Sequence, residues 1–87
     1  MISCTVTILN PLGLHARAAA RFVRMASQFE SSIRIARDTR VMDGKSILGI
    51  LLLAAARGTE LTVSADGVDE VAALDALAEL VRSGLGE

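Results

Sequence analysis

The chain of 87 residues contains two aromatic side chains, Phe22 and Phe29, and no Trp or Tyr. Single-stranded nucleic acids are held by stacking bases on aromatic rings, so that mode of binding has nothing to build on. There is one cysteine, Cys4, and one histidine, His15. No internal disulfide can form and no Cys/His cluster can be assembled, so no metal site is expected and a reducing, cytoplasmic setting fits. The longest apolar run, Ile47–Ala56, holds ten residues including Gly49. A membrane span needs about 20, so no membrane insertion is expected. The N-terminus also lacks the basic stretch, apolar core and cleavage site of a secretion signal.

Against these absences, 52% of the residues are hydrophobic, and Ala, Leu, Ile and Val must build the core. A chain of this size buries only ~60% of its unfolded surface, so the core must be dense. One domain over residues 1–87 is expected, with no linker, repeat or low-complexity tract. The net charge of −1 hides an asymmetry. Residues 1–45 carry seven basic groups against Glu30, Asp38 and Asp43, a net of +4, whereas residues 46–87 carry a net of −5. A basic half attracts anionic ligands or acidic protein surfaces. A duplex binder is usually basic overall, so no nucleic-acid partner is expected.

The hydrophobic pattern changes period along the chain. Ile2, Cys4, Val6 and Ile8 alternate with Ser3, Thr5 and Thr7, as in a strand with one buried face. Asn10-Pro11-Leu12-Gly13 breaks it. From Ala16 to about Phe29 the period is helical, with Ala19, Phe22, Val23, Ala26 and Phe29 on one stripe and Arg17, Arg21, Arg24 and Gln28 opposite. Strands are expected around Ile33–Ile35 and Arg40–Met42, separated by a turn at Asp38-Thr39. Ser46 is a good N-cap for a helix predicted over Ile47–Arg57, with Gly58 as its stop. Leu61, Val63 and Ala65 mark a fourth strand. A last helix is predicted over about Asp69–Ser83, with Val71, Leu74, Leu77, Ala78 and Val81 inward, Gly84 as terminator, and Asp69, Glu70, Asp75 and Glu79 on a solvated face. The order β-α-β-β-α-β-α contains the split βαβ pattern, an α+β fold with helices on one face of the sheet.

The chemistry concentrates at His15. It stands where the first helix should begin, a position that normally takes Ser, Thr, Asp or Asn. Orphan N–H groups and the positive end of the helix dipole favour an anion there, and Arg17 can bind phosphate in bidentate fashion. Neutral imidazole is a nucleophile near pH 7. The combination describes a histidine that accepts a phosphoryl group; a surface histidine in a loop is the plain alternative. A hydrolase triad has no second histidine to draw on.

Asn10-Pro11-Leu12-Gly13-Leu14-His15-Ala16-Arg17-Ala18-Ala19 resembles the active-site signature of the HPr family, the histidine-containing phosphocarriers of the bacterial phosphoenolpyruvate phosphotransferase system. Gly44-Lys45-Ser46-Ile47-Leu48-Gly49 resembles the family's regulatory serine segment, and Gly58–Gly67 its fourth-strand region. The resemblance covers essentially the whole chain. It implies an open-faced β-sandwich, a four-stranded antiparallel sheet covered by three helices. It also implies phosphorylation of His15 on Nδ1 by phosphorylated enzyme I, stabilisation by Arg17, and transfer to an enzyme IIA domain. Ser46 becomes the target of an HPr kinase/phosphorylase where one exists. The chain is then a carrier without turnover of its own, a monomer needing no cofactor. The family usually has proline after the arginine; here Ala18 stands there, a departure compatible with a nitrogen-related branch.

The basic stripe Arg17, Arg21 and Arg24 and an apolar second helix that should leave some of Ile47, Leu48, Leu51 and Leu52 exposed point to a partner surface, on which the resemblance singles out Ile47, Leu48 and Leu51. A solvated charge stripe and simple core packing are the competing readings. As a different class of function, a regulatory binding module of the nitrogen-related or catabolite-control branch would act mainly through Ser46-dependent docking. Cys4 reads as an inert buried thiol.

Overall fold

The computed structural model describes residues 1–87. The elements run β1 (Ile2–Thr7), α1 (Ala16–Ala26), β2 (Ser32–Arg37), β3 (Arg40–Asp43), α2 (Ile47–Leu52), β4 (Glu60–Asp66) and α3 (Glu70–Arg82). The strands form one sheet in the order β1-β4-β2-β3, every neighbouring pair antiparallel. β4 enters between β1 and β2, as the split βαβ pattern requires.

Register follows the alternation in the sequence. Cys4, Val63, Ile35 and Met42 form one row across all four strands, flanked by the Ile2–Ala65–Ile33 and Val6–Leu61 pairs. This face is covered by the helices. Ser3, Ser64, Arg34 and Asp43 form a row on the other face, which is open to solvent. A one-residue slip would send the first row into water, so burial of one face fixes the pairing. The helices add Ala18, Ala19, Phe22 and Ala26 from α1, Ile50 from α2, and Ala73, Leu74, Leu77, Ala78 and Val81 from α3. The expected open-faced sandwich, four antiparallel strands with three helices, is the fold.

The helix ends differ from the sequence reading. α1 stops at Ala26, not Phe29, and the chain leaves it through tight turns in which Gln28 donates to the Met25 carbonyl and Phe29 to that of Ala26. Distant partners then hold the segment leading into β2. Lys45 Nζ donates to the Phe29 carbonyl at 2.8 Å, and the Asp69 carboxylate accepts from the Glu30 and Ser31 amides at 2.8 and 2.9 Å. Asp69 is therefore no solvated helix residue. Its carboxyl is held below the usual range, first by the Ser31 hydroxyl, which donates at 2.5 Å, and then by the Glu30 amide.

α2 ends at Leu52, five residues before the predicted Arg57. Arg40 donates to the Leu52 carbonyl, and Arg37 to those of Leu53 and Ala54, so guanidinium groups from the β2–β3 hairpin satisfy the last carbonyl of the helix and the two that follow it. Gly58 instead turns the chain into β4, donating to the Ile8 carbonyl at 2.8 Å. Val71, expected inward, is 62% exposed in the first turn of α3, and Cys4 is half-buried rather than buried.

Candidate functional site

The loop before α1 is held by backbone contacts. Asn10, itself buried, donates through its side-chain amide to the Gly13 carbonyl at 2.7 Å, and the Leu14 amide donates to the Ala55 carbonyl at 2.9 Å. Gly13 has φ +67°, and a Cβ there would stand 2.9 Å from the Ala56 Cα and closer still to the Ala55 carbonyl oxygen. Only glycine accepts that conformation and that approach. The loop thus delivers His15 to the start of α1 in an extended conformation, φ −78° and ψ 176°, as its N-cap. The ring makes no capping bond to the helix, so it is free to meet something else.

Its partner is Glu87. His15 Nε2 lies 2.6 Å from Glu87 Oε1. Arg17 grips the same carboxylate with two bonds, Nη2 to Oε1 at 2.7 Å and Nε to Oε2 at 3.1 Å, while Arg21 Nη1 bonds Oε2 and the Leu85 carbonyl. Arg17 and Arg21, four residues apart, share one face of α1, which brings both guanidiniums to one carboxylate. The Glu87 side chain is only 9% exposed. Its pKa is pulled down to about 2, first by the Arg17 hydrogen bonds and against the cost of desolvation, with His15, Arg21 and the Arg17 charge adding to the effect. The Arg17 pKa is raised by the same pair. Two guanidiniums and an imidazole around two oxygens form a binding site for an oxyanion.

Sequence reasoning missed Glu87. Its placement depends on the turn after α3: Leu85 donates to the Leu80 carbonyl at 2.9 Å and Gly84 to that of Val81 at 3.0 Å, a Schellman motif. Gly84, Leu85 and Gly86 all have positive φ, and Leu85 is fully buried. An apolar residue between two glycines just past a helix was the available signal.

Ser46 is placed as expected. It is the N-cap of α2, and its Oγ accepts from the Gly49 amide at 3.0 Å. Along α2, Ile50 is buried and Leu51 half-buried, while Ile47, Leu48 and Leu52 are exposed, Leu48 by 68%. Leu52, one of the four residues of α2 left open as exposed, belongs with this patch as well. Arg24 is exposed on α1. The largest groove, about 330 Å³, lies elsewhere, lined by Arg37, Asp38, Thr39, Arg40, Leu53 and Ala54. No helix is long and apolar enough to cross a membrane.

The chain matches the family model described as "PTS HPr component phosphorylation site" over residues 2–83. It is 45% identical over 87 residues to a phosphocarrier protein HPr of Treponema pallidum, covering 100% of this chain and 99% of that one. The crystal structure of HPr-C-His from Thermoanaerobacter tengcongensis superposes with a TM-score of 0.96 at 44% identity, covering 100% of this chain and 98% of the other. An HPr dimer from the same organism gives 0.80 at 44% identity, with both chains fully covered. These names describe a carrier rather than an enzyme, and the backbone superposes over the whole chain. The chain belongs to the HPr family, the phosphocarrier proteins of the phosphotransferase system.

Proposed function

We propose that His15 is the residue that carries the phosphoryl group, receiving it from phosphorylated enzyme I and giving it up to an enzyme IIA domain. The observation that carries this reading is the oxyanion cluster. The imidazole stands at a helix N-terminus beside two guanidiniums that already hold a carboxylate. A phosphoryl group on the ring would find the helix dipole, unsatisfied amides and Arg17 within the same few ångströms. Arg17 stabilises the phosphorylated ring in this reading. Arg24, the exposed apolar residues Ile47 and Leu48, and the half-buried Leu51 form the docking surface with Arg17 and Arg21, and the carrier acts in the cytoplasm as a monomer.

Ser46 supports a regulatory layer on the same surface. Phosphate on its hydroxyl would sit at the N-terminus of α2, where the dipole tolerates it, and would bring about −1.5 to −2 charges against exposed Ile47 and Leu48. An HPr kinase/phosphorylase is the partner for that step.

Incubating the chain with phosphoenolpyruvate and enzyme I tests the carrier reading. One acid-labile phosphoryl group per chain is expected by intact mass, and it should be passed to enzyme IIA on mixing. Arg17→Ala should still be labelled but pass the group on more slowly. An unlabelled wild-type chain, or an acid-stable product, overturns the reading.

A further inference from the structure

The largest groove of the molecule lies away from His15, between the β2–β3 turn and the end of α2. Its volume of about 330 Å³ is near the lower limit of pockets that hold small molecules. Arg37 and Arg40 line it, paired directly opposite each other where β2 and β3 join. Like charges facing across a hairpin repel, so the pair calls for something negative between them. The carbonyls at the end of α2 supply part of it. Arg37 Nη1 donates to the carbonyls of Leu53 and Ala54 at 3.0 and 2.9 Å, and Arg40 Nη1 to that of Leu52 at 3.0 Å. A helix C-terminus offers about half a unit charge, against two on the guanidiniums.

No carboxylate makes up the difference. Arg17 and Arg21 share Glu87, whereas neither Arg37 nor Arg40 has a carboxylate oxygen within 4.0 Å. Each guanidinium is fixed in place by Nη1 alone, which leaves its Nη2 and Nε without a protein partner. Two such forks, already held, suit the oxygens of a phosphoryl group.

The backbone around the groove carries a second, independent mark. Asp38 and Ala54 have φ +53° and +50°, two of only three non-glycine residues in the chain with positive φ. Asp accepts this conformation readily, and Ala does not. Strained backbone of this kind gathers at ligand sites. The other polar side chains of the lining, Asp38 and Thr39, are partners for hydroxyl groups: the carboxylate accepts, and the Thr39 hydroxyl both donates and accepts. Asp38 also repels a bare anion, so the groove favours a phosphate that brings hydroxyl donors with it.

We propose that this groove is an anion site separate from His15, taking a small phosphate monoester that carries hydroxyl groups. Arg37 and Arg40 hold the phosphoryl oxygens, and Asp38 and Thr39 meet the hydroxyls. The assignment does not depend on His15 accepting a phosphoryl group. The size of the groove and its hydroxyl-binding side favour such an ester over an acidic segment of another protein.

Glycerol 3-phosphate, inorganic phosphate and a peptide of three glutamates, each titrated into the ¹⁵N-labelled full chain, test this. Glycerol 3-phosphate should give saturable shifts at the Thr39, Leu53 and Ala54 amides and the Arg37 and Arg40 Nε–H signals. It should bind about fivefold more tightly than inorganic phosphate, and Asp38→Asn should narrow that gap. Arg40 is exposed, so Arg40→Gln should melt like wild type yet bind the ester about tenfold more weakly. Arg40→Lys, which keeps the charge but not the fork, should fall between the two. Shifts confined to His15–Arg17, shifts that do not saturate, or binding unchanged in Arg40→Gln overturns the proposal. Inorganic phosphate binding as tightly as the ester overturns the hydroxyl assignment, and a glutamate peptide that binds more tightly than the ester makes the groove a protein contact instead.

Discussion

The two helix starts on this protein solve the same problem in opposite ways. At α2, Ser46 accepts from the Gly49 amide with its own side chain, so the N-terminus is satisfied from within. At α1, His15 caps nothing, and its ring turns to a carboxylate 72 residues further along the chain. A self-satisfied terminus is stable structure that a modification can only perturb. An unsatisfied terminus, with two arginines on the adjoining helix face, favours an anion; here Glu87 binds the arginines and the ring while the first-turn amides stay open. Under the proposed function, this contrast would suit one N-cap to a regulatory role and the other to a chemical one.

The α1 start is most vulnerable at Gly13, which delivers His15 to its place. Gly13→Ala drives a methyl group into the Ala55 carbonyl in a left-handed conformation. Denaturant melts should show a loss of at least about 2 kcal/mol, together with a displaced His15 and slower phosphotransfer. At the other start, Ser46→Ala should cost about 1 kcal/mol of stability, because the Gly49 amide loses its acceptor. Ser46→Asp should melt close to wild type, since Asp is also a good cap, yet bind enzyme I more weakly in titration because a charge enters the exposed apolar patch.

A smaller effect is expected at Ala18, where the family usually has proline. The Ala18 amide has no acceptor beyond the helix, and the first-turn amides have none within it. Ala18→Pro should therefore raise stability by roughly 0.4–1 kcal/mol through the unfolded chain, with phosphotransfer kept. The Ala18 side chain is fully buried, so a loss of stability would mean that the proline ring cannot be accommodated against the core.

Acid titration probes the α1 start locally. Glu87 titrates at about 2 in the folded chain against 4.5 when unperturbed. A depressed carboxyl stabilises the fold above its unfolded pKa, so this contribution is complete above about pH 4.5 and is lost as pH falls through about 2. Asp69 is shifted in the same direction and adds to the same acid limb. Carboxyl chemical shifts followed by NMR should place the Glu87 midpoint near 2, and Arg17→Ala should move it upward.

The features legible in the sequence are those the chain encodes locally. Period-two alternation at Ile2–Ile8 gives β1 its face, and Ser46 before an apolar run marks the start of α2 correctly. The end of α2 is not readable, because the run continues unbroken to Ala56. The stop comes where Ala54 turns left-handed, with Arg37 and Arg40 reaching across from the β2–β3 hairpin to take the carbonyls of Leu52, Leu53 and Ala54. Val71 shows a related limit: periodicity marks a helix face but not how far along the helix that face stays covered. His15, Arg17 and Ser46 are legible because each carries a local signature. Glu87 is not, because its role depends on a turn of left-handed residues that folds the chain back onto α1.

Of the two helix starts, the open N-terminus of α1 is the one that should receive the phosphoryl group, and the closed one of α2 should not. Localising phosphorus by ³¹P–¹H correlation, in a chain labelled by enzyme I and phosphoenolpyruvate, decides between them. A single phosphorus signal coupled to the His15 ring through Nδ1 is expected, absent from a His15→Ala chain that still folds. Phosphorus on Ser46 under these conditions, or undiminished labelling of the His15→Ala chain, would contradict it.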